Sequence, residues 1–366
     1  MKVGLYFHIP FCTKKCPYCH FYVVPNQPIF HKILGSGLAI EWEREFYRLA
    51  GKTIPSIYFG GGTPTLFAPD GIKTILDTIR GSGLDLDPLC EITIEANPEE
   101  CSEKLFEALL HLGINRLSLG VQSLDDRSLE TLERVHTAQR AKNAIFMAEK
   151  AGFKNISIDL MYDLPSQTEG SWLYTLAQLA EIPIQHLSLY NLTIEPHTSF
   201  YKRTLVFPSQ ETSLRFLETA VEKIEKLGLK RYEISAFAKP GFQSNHNLGY
   251  WTGRPFLGFG PSAFSFWEGQ RFRNIANLQR YTRALIKGDS PVDLREQLPY
   301  PQNIKELLAV QLRLLDGIEI QATWPSEIHE AMGRLIEQNL LAMKGPNIQL
   351  SPKGLLFHDT VAAELI

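Results

Sequence analysis

The sequence contains few cysteines, little net charge and no long apolar run. Only Cys90 and Cys101 of its five cysteines lie outside one short N-terminal segment, so no disulfide framework is implied. A formal net charge of −3 gives no reason to expect nucleic acid as a partner. No uninterrupted apolar stretch approaches the roughly 20 residues that span a bilayer, and the first residues lack the layout of a signal peptide. We therefore expect a cytoplasmic protein that does not insert into a membrane.

The other three cysteines, Cys12, Cys16 and Cys19, are crowded into eight residues. Thiolates are the natural ligands of iron–sulfur clusters. Three of them can hold three corners of a four-iron, four-sulfur (4Fe–4S) cluster, which leaves the fourth iron free to bind a small molecule and pass it an electron. The spacing, with three and then two intervening residues, is similar to that of radical S-adenosylmethionine (SAM) proteins. It predicts these cysteines as cluster ligands.

Other interpretations of the same loop remain open. Cys16-Pro-Tyr-Cys19 alone is typical of a glutaredoxin-type redox pair, but that interpretation leaves Cys12 without a role. Zinc could use the three cysteines with His8 or His20, although structural zinc sites usually spread their ligands over two separated knuckles. Three buried structural thiols are disfavoured by the polar residues between them. The cluster is the interpretation that uses all three thiols.

Short apolar runs alternate with amphipathic helical segments through the first half of the chain. The predicted strands are Val3–Ile9, Ile57–Phe59, Ile92–Ala96, Arg116–Leu119, Ile156–Leu160 and His186–Tyr190. The predicted helices include Ile40–Leu49, Ile72–Arg80, Glu103–Leu112 and Thr137–Ala151, with Ser102 and Thr137 as N-caps and Gly113 and Gly152 as C-terminal stops. Strands alternating with helices predict parallel βαβ units. Six such units predict an α/β fold built on a partial (β/α)6 barrel.

The pattern changes near residue 200, and we predict three segments. Residues 1–200 form the partial barrel, and residues 201–290 form a barrel extension with loops that face a ligand. Residues 291–366 form a small helical, winged-helix-like domain. Because this domain carries no basic cluster, we expect it to cover a protein or ligand rather than to bind DNA. Within the second segment, the glycine- and proline-rich stretch Lys239–Gly260 predicts loops.

Polar residues fall where each predicted strand ends. In parallel α/β barrels this rim carries the active site, so we expect these residues to converge. A single polar residue at such a position is commonly a helix cap, but six in succession are hard to explain in that way. They are His8 with the cysteine loop, Gly60–Pro64, Glu95, Gln122, Asp159 and Tyr190-Asn191.

Two of these rim features suit a nucleoside. Gly60, Gly61 and Gly62 let a ligand approach the backbone closely, and a SAM amino group on the open iron needs backbone acceptors there. Such a turn alone is often only a tight connection. Glu95 lies in an otherwise apolar strand, and carboxylates are rarely buried without a partner. Two ribose hydroxyls would serve as that partner, and an internal Arg or Lys is the alternative. Asp159 is likewise a carboxylate in a largely apolar strand, so the same argument applies to it.

Seven segments together resemble the radical SAM family of oxygen-independent coproporphyrinogen III dehydrogenase and its haem-chaperone relatives. They are Tyr6–Cys12, Cys16–Cys19, Gly60–Pro64, Ile94–Pro98, Gly120–Ser123, Ile158–Pro165 and Tyr232–Pro240. The resemblance runs to about Phe264 and, more loosely, to the C-terminus. It implies that Tyr6, Gly61 and Glu95 contact the SAM that chelates the cluster. It also matches six residues to positions that hold a second SAM in the dehydrogenase, namely Tyr18, Gly62, Thr63, Gln122, Arg134 and Asp159.

Other features separate the two branches of this family. His246-Asn-x-x-Tyr-Trp251 matches the motif associated with haem binding in the chaperones, which makes His246 a candidate axial haem ligand. Chemistry alone favours an ordinary loop histidine with aromatic packing beside it, and His20 is the second candidate ligand. Phe21 stands where the dehydrogenase has a fourth cysteine. The chain also starts almost at the first strand, whereas the dehydrogenase has an N-terminal extension. These features favour the chaperone branch.

Two positions depart from the pattern of the chaperones. His20 stands where Asp is common, and Phe264 where many relatives carry a histidine. The resemblance implies a protein that binds haem and delivers it to a target such as a membrane respiratory enzyme, with contact to the membrane only through that target. The alternatives are an enzyme that decarboxylates coproporphyrinogen III oxidatively with SAM, and a zinc-stabilised binding module.

Overall fold

The computed structural model describes residues 1–366. The strands are β1 (Lys2–Ile9), β2 (Phe11–Cys12), β3 (Val24–Pro25), β4 (Thr53–Gly61), β5 (Asp85–Ala96), β6 (Arg116–Gln122), β7 (Ile156–Tyr162), β8 (His186–Asn191), β9 (Lys230–Glu233), β10 (Ala236–Ala238), β11 (Phe256–Phe259), β12 (Phe264–Trp267), β13 (Gln270–Asn274), β14 (Val292–Gln297), β15 (Ile318–Glu319), β16 (Leu341–Lys344) and β17 (Asn347–Leu350). The helices are α1 (Pro28–Glu45), α2 (Asp70–Gly81), α3 (Glu103–His111), α4 (Asp126–Thr131), α5 (Ala138–Ala151), α6 (Glu169–Gln178), α7 (Gln210–Lys226), α8 (Asn245–Trp251), α9 (Leu278–Lys287), α10 (Gln302–Gln311), α11 (Ser326–Glu337) and α12 (His358–Leu365).

Twelve strands form one open sheet in the order β14-β13-β12-β11-β1-β4-β5-β6-β7-β8-β10-β9. The six strands predicted from the sequence are β1, β4, β5, β6, β7 and β8, and they lie side by side, all parallel. The predicted partial barrel is therefore confirmed. β11 adds a seventh parallel strand on the other side of β1, and antiparallel strands extend both edges.

The helix ends follow the local signals. The side chains of Ser102 and Thr137 accept backbone N–H groups at the starts of α3 and α5, as predicted. Gly152 ends α5 in the left-handed conformation with φ 118°, which glycine adopts without a steric penalty. α1 begins earlier than predicted, because Pro28 suits the first position of a helix. None of the helices combines the length and the apolar character that crossing a membrane requires.

Side chains of the parallel strands alternate between two different faces. The outer face is apolar and packs under the helices; it includes Leu5, Phe7, Ile57, Phe59, Ile92, Ile94, Leu117, Leu119, Ile158 and Leu160. The inner face is polar; it includes Tyr6, His8, Tyr58, Glu95, Arg116, Ser118, Asp159 and Ser188. Strands covered by helices on both faces normally form continuous apolar runs. The alternation here leaves a concave polar face open to ligands.

The prediction of loops over Lys239–Gly260 was wrong. The segment contains α8, capped by the side chain of Ser244, and the buried strand β11. β11 pairs in parallel with β1, from which it is separated by some 250 residues. Pairing at that separation leaves no local signal, and the glycines and prolines around these short elements obscured them.

The C-terminal unit has its own small core. Helices α10, α11 and α12 pack with the antiparallel sheet β15-β17-β16 around an apolar cluster that includes Leu312, Leu335 and Ile348. The unit thus contains three helices and a small sheet, where a helical, winged-helix-like domain was predicted. The unit begins later than residue 291, because β14 still pairs with β13 in the large sheet.

Candidate functional site

The three clustered cysteines lie at the carboxyl end of β1. Cys12 ends the short strand β2, and a turn in which the backbone N–H of Cys19 donates to the carbonyl of Cys16 (3.1 Å) brings the other two together. All three thiols are free and partly exposed. The loop therefore presents three sulfur ligands without disulfide bonds at the rim of the barrel.

The electrostatics of this loop suit a positively charged centre. Burial, to which the neighbouring Cys19 and Cys16 add, raises the pKa of Cys12 to about 11. Burial also raises the pKa of Cys19, to which Cys16 again contributes. Thiols so close to one another resist deprotonation unless a metal centre takes up their charge. The residues present therefore fit a metal cluster.

A cluster fits this geometry better than a single metal ion. No group of three or more His, Cys, Asp or Glu side chains is placed to hold one ion. The zinc alternative therefore lacks a geometric basis. A 4Fe–4S cluster instead gives each thiolate its own iron, so its ligands need not converge on one point.

The glycine turn that ends β4 contacts this loop directly. Gly61 has φ 114°, and a Cβ atom there would lie 2.6 Å from the ring of His8. A Cβ atom on Gly62 would lie 2.5 Å from the carbonyl oxygen of Phe11. Both positions therefore require glycine. A Cβ atom on Gly60 would crowd Tyr58 and Glu95, so the whole turn is packed against the polar face.

Glu95 has two hydrogen bonds and no ion pair. Its carboxylate accepts the hydroxyl of Tyr58 (2.8 Å) and the backbone N–H of Gly61 (3.1 Å). Burial, to which the nearby Asp159 adds, raises the pKa of Glu95 to about 7. The alternative of a carboxylate paired with an internal Arg or Lys is not what the structure has. Remaining acceptor capacity on a buried carboxylate suits hydroxyl groups of a ligand.

Asp159 faces the same interior. It lies in the middle of β7, which continues to Tyr162, rather than closing the strand as predicted. Burial raises the pKa of Asp159 to about 6, although a hydrogen bond from Ser188 opposes the rise. Asp159 also raises the pKa of Glu95, as expected for two carboxyls on the same polar face.

Arg134 connects the cysteine loop to the rim. Its guanidinium donates to the sulfur of Cys16 (3.2 Å), to Oδ1 of Asn97 (2.7 Å) and to the carbonyl of Gly120 (3.0 Å). Its buried Nε has no partner. Asn97 in turn donates to Oγ1 of Thr63 (2.8 Å). Arg134 is therefore a fixed part of the site rather than an exposed helix residue.

Three further predicted residues lie at the same rim. Tyr6 makes a hydrogen bond between its hydroxyl and Nδ1 of His8 (3.0 Å). Gln122 ends β6 with φ 65°, an uncommon conformation for a residue other than glycine. The ring of Tyr18 lies 6.2 Å from that of Phe200. Burial raises the pKa of Tyr18, and the nearby Arg134 guanidinium opposes this rise.

His246 is not in a loop. It lies on α8 and is 2 % exposed, with Nδ1 bonded to the hydroxyl of Ser56 (3.0 Å) and Nε2 to that of Tyr250 (2.8 Å). Burial lowers the pKa of His246 to about 3. Both ring nitrogens are therefore occupied within the protein. The predicted haem-ligand role would require these bonds to break, and it stays a prediction.

A cavity of about 1100 Å³ opens beside the cysteine loop. It lies between that loop, α8, the antiparallel strands β12 and β13, and α10. Its aromatic lining comprises Tyr6, Phe21, Tyr22, Tyr250, Trp251, Phe256, Phe264 and Phe266. Four cationic side chains also line it, namely Lys15, Arg254, Arg271 and Arg273. Its volume slightly exceeds the range of about 300–1,000 Å³ typical of small-molecule sites.

The sequence analysis did not identify several residues of the site. Tyr58 holds Glu95, and Asn97 joins Thr63 to Arg134. Arg116 is 2 % exposed beneath the same polar face. Strict alternation of polar and apolar residues along β4 and β6 was the available signal, since it is unusual in a parallel sheet.

Comparisons with known proteins identify the family of this chain. A profile of the radical SAM superfamily matches residues 6–179. The haem chaperone HemW of Lactococcus lactis is 33% identical over 365 residues, which cover 95% of this chain and 93% of that protein. HemW of Bacillus subtilis is 33% identical, with 86% and 84% covered, and HemW of Escherichia coli is 35% identical, with 78% and 76% covered.

The fold is also that of a solved structure. Coproporphyrinogen III oxidase (HemN) from Escherichia coli, described as a radical SAM enzyme, superposes with a TM-score of 0.86 at 23% identity, over 99% of this chain and 89% of that one. At this identity the likeness concerns the fold alone. A radical SAM domain implies a 4Fe–4S cluster and SAM. The chain belongs to the HemW family of radical SAM proteins.

Proposed function

We propose that this protein is a haem chaperone, which binds haem and transfers it to a target protein. The observation that carries the proposal is the identity of 30–36% to HemW proteins of several bacteria, over most of the chain. The aromatic cavity supports it, because its volume, apolar walls and cationic residues suit a large flat molecule with carboxylate groups.

The cluster belongs on Cys12, Cys16 and Cys19. SAM belongs beside it, with the Gly60–Gly62 backbone against its amino-acid part and Glu95 accepting its ribose hydroxyls. When bound, the cluster supplies an electron that can be passed to SAM. Tyr58 fixes the orientation of the Glu95 carboxylate. Transfer of intact haem needs no radical chemistry, so in this function the cluster and SAM act structurally or as a switch.

The remaining predicted contacts form an outer part of the same site. Arg134 holds the sulfur of Cys16 and is oriented by Asn97. Gln122 ends β6, and Asp159 lies on the polar face of the neighbouring strand β7, so both would contact a SAM molecule at this rim. A measurement of the number of SAM molecules bound per chain distinguishes one bound SAM from two.

The alternative function is oxidative decarboxylation of coproporphyrinogen III. Phe21 argues against it, because this position carries a further cysteine in the dehydrogenases that the sequence resembles. Phe21 is 55 % exposed and lines the cavity, so it offers an apolar surface there and no thiolate. We therefore expect haem binding without decarboxylation.

One experiment tests both possibilities. The full chain, reconstituted anaerobically with iron and sulfide, is titrated with haemin and is then incubated with coproporphyrinogen III, SAM and a reductant. We expect one haem per chain and no protoporphyrinogen. Absence of haem binding would contradict the chaperone, and formation of protoporphyrinogen would establish the enzyme.

A further inference from the structure

We infer that His20 is the axial ligand of the haem iron, and that Lys15 and Arg254 bind the haem carboxylates. This inference deepens the proposed function and rests on it. It concerns the way in which the cavity beside the cysteine loop holds haem, and it assigns the iron to the loop instead of to His246.

The cysteine loop has two chemically different faces. Towards the barrel, the sulfur of Cys16 accepts a hydrogen bond from Arg134, and that of Cys12 contacts Oγ1 of Thr63 at 4.0 Å. Towards the cavity the loop presents Lys15 and His20, and none of the cysteines lines that cavity. One loop can therefore hold a cluster on one face and contact a second ligand with the other.

Two histidines line the cavity, and only one of them is available to a metal. His8 is 5 % exposed, with Nδ1 bonded to the Tyr6 hydroxyl and Nε2 to the carbonyl of Tyr22 (3.2 Å). His20 is exposed and makes no hydrogen bond to another residue, and its ring lies 4.5 Å from that of Phe21. A ring nitrogen of His20 can therefore coordinate iron without breaking a hydrogen bond. Histidine is the usual proximal ligand of haem.

Two of the four cationic side chains that line the cavity are in salt bridges, which leaves the other two to bind carboxylates of a ligand. Arg271 is paired with Glu296 and Glu306, and Arg273 is paired with Asp293 at 3.0 Å. These two arginines are therefore already neutralised, and Glu306, the one carboxylate of the lining, is used by Arg271.

Neither Lys15 nor Arg254 forms a salt bridge, although Glu91 is near enough to oppose the fall in the pKa of Arg254 that burial causes. Lys15 donates only to the carbonyl of Phe21 (3.0 Å), on the same loop as His20. Arg254 donates to Oδ1 (3.0 Å) and the carbonyl (2.6 Å) of Asn245 and to the hydroxyl of Ser56 (3.2 Å), all of them uncharged acceptors. Unpaired cations in a largely apolar cavity favour an anionic ligand. The two carboxylates of haem match them in number and sign.

The test is an anaerobic haemin titration of the full, cluster-loaded chain and of His20→Ala. We expect His20→Ala to shift the main haem absorption band and to weaken haemin binding at least about ten-fold, the effect of losing roughly 1.4 kcal/mol. Added imidazole should restore the original band. His111→Ala, which removes an exposed histidine of α3, is the matched control and should bind haemin like the unmodified chain.

The lysine is tested with a neighbouring control. Lys15→Ala should weaken haemin binding about two- to five-fold without moving the absorption band, since it changes a partly solvated ion pair and not the ligand. Lys14→Ala should have no effect, because Lys14 pairs with Glu133 outside the cavity. Iron content is measured in each variant, and His20→Gln replaces His20→Ala if the alanine variant loses its cluster.

The outcomes separate this inference from the function on which it rests. If the unmodified chain binds no haem, the proposed function fails. If the unmodified chain binds haem and both His20 variants keep its spectrum and affinity, the protein remains a haem carrier and His20 is not its ligand.

Discussion

The guanidinium of Arg134 donates to the sulfur of Cys16 at 3.2 Å, although 118 positions separate the two residues. A hydrogen bond from a cation stabilises a sulfur ligand more strongly as the negative charge on its cluster increases. We therefore expect Arg134 to raise the electron affinity of the cluster.

We expect Arg134→Ala to lower the reduction potential of the cluster by about 40 mV, equivalent to roughly 1 kcal/mol for a one-electron couple. Reduction adds negative charge, and the variant lacks the cation that stabilises it. The measurement is a redox titration followed by electron paramagnetic resonance. Arg134→Lys, which keeps the charge, should show a reduction potential close to that of the unmodified protein. An unchanged potential in the alanine variant would show that Arg134 does not influence the cluster.

Cys16→Ser should abolish the cluster. Anaerobically reconstituted protein is expected to contain about four irons per chain, and the variant almost none, because two thiolates do not retain the cluster. Cys90→Ser is the control, since Cys90 is buried away from the loop and should leave the iron content unchanged. Stoichiometric zinc without iron in the native protein would refute the assignment.

Glu95→Ala should weaken SAM binding by roughly 1.5–3 kcal/mol, the range for losing hydrogen bonds to a charged group. The cluster should stay intact, because Glu95 contacts Tyr58 and Gly61 but no cysteine. Equilibrium dialysis with labelled SAM measures the affinity, and iron content provides the control. Equal affinity in both proteins would make Glu95 a structural carboxylate only.

SAM binding should strengthen as pH rises. The pKa of Glu95 is raised to about 7, so its ionised form, the better acceptor for hydroxyl groups, increases from about a tenth at pH 6 to about nine tenths at pH 8. We expect roughly ten-fold tighter binding across that interval. In Glu95→Gln, which has no titrating carboxyl, most of this dependence should disappear. A parallel pH dependence in both proteins would assign the titration to SAM or to another residue.

His246→Ala should destabilise the protein, because it leaves the hydroxyls of Ser56 and Tyr250 without their buried partner. The expected loss is about 1–3 kcal/mol of unfolding free energy, measured by urea denaturation. Tyr250, which lines the cavity, loses its hydrogen bond to His246, so haem affinity should fall. The haem absorption band should keep its position. A shifted band in a variant of normal stability would return the ligand role to His246.

Signals that span a few residues predicted much of this protein. The cysteine spacing, the glycine turn and the helix caps of Ser102 and Thr137 depend on neighbours within one turn or loop. The six parallel strands followed from apolar runs of strand length between helices. Because their carboxyl ends meet at one rim, the sequence also predicted that Glu95 and the cysteine loop share a site.

Contacts between distant segments were decided only by the tertiary structure. β11 inserts beside β1, and α8 buries His246 against Ser56, 190 positions away. A helix of seven residues is too short for its periodicity to be recognised, although Ser244 caps it. The cavity likewise joins the N-terminal loop to α10. Such pairings depend on which surfaces pack together, and no local pattern of polar and apolar residues encodes that choice.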